Sequence, residues 1–128
     1  MTTATAPLTK ETLAMTLTVG EVAAKAGVSP NTVRLYERHG VLTAFRTSGG
    51  ARRFTVDAVC RIKLARAGQR VGLTLRESAD LLADIPLAEP DLDRWIAAGR
   101  RLIEEGHSRI RELESAVEQF SSLDFLRS

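Results

Sequence analysis

The chain has 128 residues, of which 44% are hydrophobic, and its formal net charge at pH 7 is +2. A single cysteine, Cys60, excludes an internal disulfide, and no apolar run is long enough to span a membrane. The first residues lack the basic and apolar regions of a secretory signal, so we expect a cytoplasmic protein.

The charge is unevenly distributed along the chain. Residues 18–70 contain ten lysines and arginines against three acidic residues, whereas residues 71–128 contain seven arginines against twelve acidic residues. A strongly basic half of this kind indicates binding to a polyanion such as nucleic acid. Before it, residues 1–16 are rich in Thr and Ala and show no periodicity, and we expect a flexible tail there.

The first two predicted helices form a helix-turn-helix. Thr18 and Glu21 have the spacing of a capping box, and Gly27 is a typical helix end. Ser29 then caps a second helix, with Pro30 at its first position. Two short helices joined by a tight turn have the shape that enters a major groove of DNA.

On the second helix, Val33 and Tyr36 can face the core while polar residues face outward. The early turns of a recognition helix meet base edges, and its far end meets the phosphate backbone. The expected base contacts are therefore Asn31, Thr32 and Arg34, and the expected backbone contacts are Arg38 and the adjoining His39.

A small β-hairpin is predicted after Gly40. Residues 43–46 have the pattern of a strand, residues 47–50 (TSGG) that of a turn, and residues 51–54 that of a return strand. Such a wing can lie along phosphates beside the groove helix. Its candidate phosphate contacts are Arg46, Arg52 and Arg53.

Two more helices follow the hairpin. Thr55 is the predicted cap of the third, which ends near Gly72 and carries Arg61 and Lys63 as weaker candidates for DNA contact. Cys60 lies inside this helix, where we expect a small buried hydrophobic residue. A second capping box, at residues 74–77, opens the fourth helix, and Pro86 closes it.

A long helix is predicted over residues 91–122, after a connector at 84–90. Apolar residues and glycines recur along it at alternating steps of four and three, which is a heptad seam that should pair with a second helix. Trp95 and Leu102 flank the seam, and we expect them to pack on a DNA-binding lobe. The seam comprises Leu92, Ile96, Gly99, Ile103, Gly106, Ile110, Leu113, Val117 and Phe120.

The stretch GEVAAKAGVSPNTVRLYERHGVL, with RTSGGARRF and QRVGLTL after it, resembles the MerR family of bacterial transcription regulators over residues 17–82. The resemblance implies that Arg34 and Tyr36 bind DNA, because they match positions of the family's pattern. Leu35 departs from the family pattern, in which many relatives have a tyrosine that reaches DNA.

The resemblance implies a mainly α fold, with a winged helix-turn-helix domain at 17–86. Residues 87–128 would then hold the connector, a long antiparallel coiled-coil dimerisation helix and a short tail. In a symmetric seam the midpoint falls on Gly106. Relatives bind an inverted repeat in promoters with an over-long spacer, then bend and untwist the double-stranded DNA so that RNA polymerase can read both promoter elements. Activation of transcription by a homodimer is the function this implies.

RTSGGARRF and QRVG resemble the superoxide-response subgroup of the family. That subgroup carries a cluster of four cysteines after the long helix, and the corresponding residues 121–128 contain none. One cysteine cannot supply the thiolates of an iron–sulfur cluster, and His39 and His107 are far apart in sequence, so we expect no metal and no cofactor.

Two other functions remain open at this point. An architectural DNA-binding protein, such as an excisionase, shares the winged fold but usually lacks the long pairing helix. A protein-interaction adaptor on a MerR-like scaffold, such as a chaperone modulator, needs no basic wing. We find no phosphate loop, nucleophile elbow or metal-ligand pair in the sequence, so we do not expect an enzyme.

Overall fold

The computed structural model describes residues 16–87, 91–122 and 126. Within them, five helices and a small sheet follow the predicted order, and the chain is mainly α-helical. The predicted flexible tail, apart from Thr16, and most of the predicted C-terminal tail lie outside the described residues. The elements are β1 (Thr16–Thr18), α1 (Val19–Ala26), α2 (Pro30–Arg38), β2 (Phe45–Arg46), β3 (Arg52–Thr55), α3 (Ala58–Arg70), α4 (Leu75–Leu82) and α5 (Leu92–Ser122).

Both predicted capping boxes are confirmed. At the start of α1, the backbone N–H of Glu21 donates to Thr18 Oγ1 at 3.1 Å, and Thr18 N donates to Glu21 Oε1 at 2.9 Å. Thr74 and Glu77 make the same two bonds at the start of α4, at 3.0 Å and 2.9 Å. These bonds lower the pKa of both glutamates, because they stabilise the ionised carboxylate. Each helix start is therefore determined by residues next to it in sequence.

The sheet has three antiparallel strands in the order β1-β3-β2. Strand β1 was not predicted. It pairs with β3 in the register Leu17 with Phe54, so Thr16 belongs to the folded lobe and not to the tail. Strand β2 is shorter than predicted, because Thr43 and Ala44 are buried without joining a ladder.

The start of α3 and the burial of Cys60 were predicted wrongly. Thr55 is the last residue of β3, and its hydroxyl bonds the carboxylate of Asp57, so the helix begins only at Ala58. Cys60 is exposed, because α3 turns Ile62 and Ala65 into the core and leaves residue 60 on another face.

One apolar core joins the helix-turn-helix, the sheet, α3 and α4 into a lobe, which we define as residues 16–87. Its fully buried side chains include Val22, Val33, Phe54, Ile62 and Leu82, which come from α1, α2, β3, α3 and α4. We call the whole of helix α5 the rod. Its first turns extend this core, with Ala98 buried in it and Trp95 packed against it. The prediction that Trp95 packs on a lobe is confirmed, and Leu102 is half-buried.

The rod also presents an apolar stripe to solvent along its length. Most of the predicted seam is exposed, with relative exposures from 41% for Ile96 to 71% for Leu92. Gly106 is an exception, because it is buried in the single chain against Val71 of the α3–α4 turn. Its predicted place at the centre of an exposed seam is therefore wrong. The exposed members are Leu92, Ile96, Ile103, Ile110, Leu113, Val117 and Phe120.

Helices α3 and α4 approach closely where Gly68 faces Ser78. A Cβ added at Gly68 would lie 2.7 Å from Ser78 Oγ and 3.3 Å from Leu73 Cδ1. Ser78 is buried, and its hydroxyl has no hydrogen-bond partner within the described part of the chain. The close approach therefore depends on two small residues.

We expect Gly68→Ala to lower the free energy of unfolding by about 1–3 kcal/mol, because the added methyl forces neighbouring atoms apart. This loss should exceed the gain of about 1 kcal/mol that alanine brings to a helix interior. Urea denaturation followed by circular dichroism measures the change.

Ser78→Ala provides the matched control. It removes an unpaired buried hydroxyl, so alone it should be nearly neutral or stabilising. In the double variant it should recover most of the loss caused by Gly68→Ala, since the closest contact is then gone. A Gly68→Ala protein as stable as the wild type would contradict this account of the crossing.

Candidate nucleic-acid interface

The outward face of α2 forms one stripe. Its positions 31, 34, 35 and 38 have the spacing of a single helix face, opposite the buried Val33 and Tyr36. Asn31, Arg34 and Arg38 are exposed there, as predicted, and Leu35 is half-buried. Arg34 Nη1 donates to Asn31 Oδ1 at 2.9 Å, so the first two turns present a guanidinium and an amide in a fixed relation.

Thr32 lies at the flank of this stripe. Its backbone N–H donates to Ser29 Oγ at 3.2 Å, and the two hydroxyl oxygens are 2.9 Å apart. The half-buried Thr32 side chain is thus part of the N-terminal cap of α2. Its predicted contact with a base remains a prediction.

Tyr36 is not placed to contact DNA, so this prediction is wrong. The residue is 4% exposed, and its hydroxyl donates to Gln69 Oε1 on α3 at 3.0 Å. Burial raises the pKa of the Tyr36 phenol, and the positive charge of Arg66 opposes this by lowering it. Tyr36 therefore fastens α2 to α3, over a sequence separation that no local pattern reveals.

The wing presents two of its three arginines on one face. Arg46 and Arg52 are directly opposite each other in the ladder between β2 and β3. Arg46 Nη1 also donates to the carbonyl of Gly50 at 2.9 Å, which closes the turn. Gly50 has a φ of 85°, a left-handed conformation that favours glycine.

Arg53 faces away from this pair, because neighbouring residues of a strand point to opposite sides. Its Nε donates to Thr16 Oγ1 at 3.0 Å, and its Nη2 donates to the Thr16 carbonyl at 3.1 Å. Arg53 thereby holds β1 in the sheet. Its predicted contact with a phosphate remains a prediction.

An ion pair joins the wing to α2. Arg52 Nε donates to Glu37 Oε1 at 2.8 Å, and both side chains are partly exposed. Because Glu37 belongs to the same helix as Asn31 and Arg34, this contact fixes the wing relative to the outward stripe. The pair could not be predicted from the sequence, because its partners are fifteen residues apart in a loop-containing stretch.

Arg61 is buried, so its predicted contact with DNA is also wrong. It is 5% exposed, pairs with Asp57 at 2.9 Å and lies over the ring of Trp95, 5.6 Å from its centroid. Its Nη1 and Nη2 donate to the carbonyls of Leu82 and Ile85, at 3.3 Å and 2.9 Å. The guanidinium therefore joins the end of α4 to the start of the rod.

Other cations on α3 are exposed. Lys63 lies with Arg66 and Arg70 at helical spacing, and the hydrogen bond from Tyr36 to Gln69 joins this part of α3 to α2. At the far end of α2, the exposed Arg38 and His39 border an open cleft of about 530 Å³. The cleft also contains Arg76 and Asp80 of α4.

Two further observations concern other classes of site. Among the described residues, no three His, Cys, Asp or Glu side chains lie close enough together to hold a metal ion. In the same part of the chain, we find no helix with the length and apolar character needed to cross a membrane.

Comparison with known proteins identifies relatives of the lobe. The model of the MerR HTH family regulatory proteins matches residues 17–85. A transcriptional activator, a SoxR homolog from Chromobacterium violaceum, is 33% identical over 81 residues, which are 62% of this chain and 55% of that protein. The mercuric resistance operon regulatory protein of Shigella flexneri is 40% identical over 67 residues, which are 52% of this chain and 46% of that protein. The chain thus spans about half the length of these relatives.

Solved structures match both the lobe and the rod. A MerR family transcriptional regulator from Listeria monocytogenes has 27% sequence identity and a TM-score of 0.55, over 88% of this chain and 86% of that one. HiNmlR, a MerR family regulator lacking the sensor domain and bound to promoter DNA, has 23% identity and a TM-score of 0.54, over 88% of this chain and 91% of that one. At that identity, the second likeness concerns the fold alone.

The burial of Arg61 leads to a stability prediction. We expect Arg61→Ala to lower the free energy of unfolding by about 3–5 kcal/mol, because it leaves the Asp57 carboxylate and three backbone carbonyls, those of Leu82, Ile85 and Pro86, without their partner. Lys63→Ala, an exposed cation two residues away, should stay within about 0.5 kcal/mol of the wild type. Urea denaturation compares the two, and equal losses would contradict the structural role of Arg61.

Proposed function

The chain belongs to the MerR family of helix-turn-helix regulatory proteins, and from this premise we propose that it binds promoter DNA as a homodimer and regulates transcription. The observation that carries the proposal is the ion pair between Glu37 and Arg52. It fixes two elements suited to DNA, the outward stripe of α2 and the wing, in one orientation. Neither element alone distinguishes a DNA-binding surface from an ordinary charged one.

In this proposal, α2 reads the bases. Arg34 and Asn31 lie in its first two turns and carry the side chains that recognise guanine and adenine edges in a major groove. Their mutual hydrogen bond restricts the guanidinium before DNA arrives, which lowers the entropy lost on binding. Leu35, beside them, offers an apolar surface where many relatives have a tyrosine.

Phosphates would be bound by cations around the recognition helix. The face of the wing with Arg46 and Arg52 can lie along one strand, while Arg38, His39 and Lys63 contact the backbone from α2 and α3. These contacts supply affinity without sequence information, and their contribution falls as salt concentration rises. Arg66 is a further candidate, because it is exposed and lies one helical turn after Lys63.

A second copy of the chain would cover the rod. The exposed stripe from Leu92 to Phe120 is apolar at heptad spacing, and water is a poor solvent for such a surface. Antiparallel pairing about a two-fold axis buries the stripe on both helices and presents two lobes to one inverted repeat. Gly99 also belongs to this proposed interface, whereas Gly106 faces its own lobe.

The relatives support the transcriptional part of the proposal. One is named a transcriptional activator, and another is named the regulatory protein of a mercuric resistance operon. By analogy, the dimer would bend and untwist a promoter so that RNA polymerase engages it, in the cytoplasm. The apolar stripe of the rod disfavours an excisionase-like protein, and the arginine face of the wing disfavours an adaptor that binds protein alone.

We expect Arg46→Ala to weaken binding to every DNA sequence and to reduce the slope of log K against log salt by about 0.9, the value for one lost phosphate contact. Arg46 is preferred to Arg52 here, because Arg52 also holds Glu37. Fluorescence anisotropy over a series of salt concentrations measures the slope. Arg111→Ala, which removes an exposed rod cation, is the control, and an unchanged slope in Arg46→Ala would count against the wing.

Arg34→Ala should have a different effect. We expect it to reduce the preference for the selected operator over random DNA by about 1–3 kcal/mol, since a base contact is lost. Competition binding with both DNAs gives this preference directly. If the ratio between the two affinities is preserved, Arg34 does not read bases.

The homodimer is tested by molar mass. Static light scattering at micromolar concentration should give twice the mass of the 14.0 kDa chain. Leu113→Glu should shift the sample towards a single chain, because it places a charge within the apolar stripe. Glu112→Gln, an exposed change on the preceding residue, should leave the dimer intact. A wild-type sample with the mass of one chain would refute the proposed pairing.

A further inference from the structure

The rod is attached to its own lobe at two separate places. At its start, Ala98 is buried in the core and Trp95 lies against Arg61. Further along, Gly106 packs on Val71, and Arg109 Nη2 donates to Glu77 Oε2 at 3.1 Å. Arg109 lies eleven helical steps after Ala98, which corresponds to about 16 Å along an α-helix.

Two attachment points determine a direction, whereas one does not. If the rod were held only at its start, the lobe could pivot about that point and the angle between lobe and rod would vary. The second contact, formed by Gly106 with Val71 and by Arg109 with Glu77 at the opposite end of α4, restricts this freedom. When the lobe rotates about its attachment to the rod, α2 moves by a distance that increases with its separation from that attachment. The angle between lobe and rod therefore affects where α2 meets DNA.

Glu77 suits this second contact because its two oxygens have separate partners. Oε1 accepts from the backbone N–H of Thr74 at 2.9 Å and completes the capping box of α4, while Oε2 accepts from Arg109. The rod is thereby linked to a residue whose position is already determined by the backbone. Hydrogen bonds with the backbone and side chain of Thr74, and after them the charge of Arg109, lower the pKa of Glu77, which favours the ionised carboxylate.

The pair is not needed to hold the fold together. The side chains of Arg109 and Glu77 are 31% and 45% exposed, and ion pairs of this kind contribute little to stability. Arg109 also lies 4.0 Å from Glu105 on the preceding turn of the rod, which keeps the guanidinium on the side that faces α4. Orientation, more than stability, is therefore what the contact can provide.

We propose that the Glu77–Arg109 ion pair sets the angle between lobe and rod, and thereby the half-site separation that the dimer accepts. This inference rests on the proposed function, because a separation is defined only for two lobes on one inverted repeat. Glu77 and Arg109 are then positioning residues. They touch no DNA, and they select among operators by their geometry.

The test uses the full chain and a series of operators. The half-site is first obtained by selection from random DNA with the wild-type protein. Inverted repeats of that half-site are then made with separations that differ by one base pair, together with a duplex that carries a single half-site. Fluorescence anisotropy gives the affinity for each, and the ratio between the best separation and its neighbours measures spacing selectivity.

Two variants remove the pair from opposite sides. Glu77→Gln retains an acceptor for the Thr74 N–H, as glutamine also completes a capping box, but loses the charge. Arg109→Ala removes the cation. In both, we expect the spacing ratio to fall about three- to fivefold, which is the scale of an exposed ion pair, while affinity for the single half-site changes less than about twofold. Arg109→Lys, which keeps the charge, should retain most of the selectivity, and Arg111→Ala should retain all of it.

The outcomes separate the two proposals. Wild-type ratios in both Glu77→Gln and Arg109→Ala, with normal dimerisation and binding, would overturn the inference and leave the proposed function intact. An equal loss of affinity for all duplexes, including the single half-site, would also overturn it, because the pair would then act on the lobe and not on its angle. A wild-type protein that binds no DNA or forms no dimer would refute the proposed function, and the inference with it.

Discussion

The arrangement of lobe and rod depends on a buried guanidinium. Arg61 pairs with Asp57, donates to the carbonyls at the end of α4 and lies over Trp95 of the rod, so one side chain connects α3, α4 and α5. A buried charge is tolerated only when its hydrogen bonds are satisfied, and this requirement constrains all three elements together. The recognition helix inherits its position from this junction, since Tyr36 fastens α2 to Gln69 of α3.

Local features of the fold could be predicted from the sequence. A capping box needs two residues three positions apart, so Thr18 and Thr74 identified their helix starts, and the heptad spacing identified the rod. Strand β1 could not be predicted, because it has three residues and exists only through its pairing with β3. Contacts such as that of Glu37 with Arg52 depend on the tertiary fold, and no spacing rule anticipates them.

Some features of the candidate site could likewise be predicted from the sequence, and others could not. Helical periodicity correctly predicted that Asn31, Arg34 and Arg38 are exposed. On a short helix, the apolar residues define the buried face, and the residues on the opposite face are left exposed. Residue type alone gave the wrong role for Arg61. An arginine that binds phosphate and an arginine that satisfies buried carbonyls are identical in sequence, and only their neighbours distinguish them.

The exposure of Cys60 has a practical consequence. It is the single cysteine of the 128-residue chain and lies on α3 of the lobe. A thiol-reactive nitroxide would therefore attach at one defined position in each copy, without any engineered substitution. In a paired assembly, electron–electron dipolar spectroscopy between the two nitroxides would report the separation of the lobes directly, in solution, with and without a duplex.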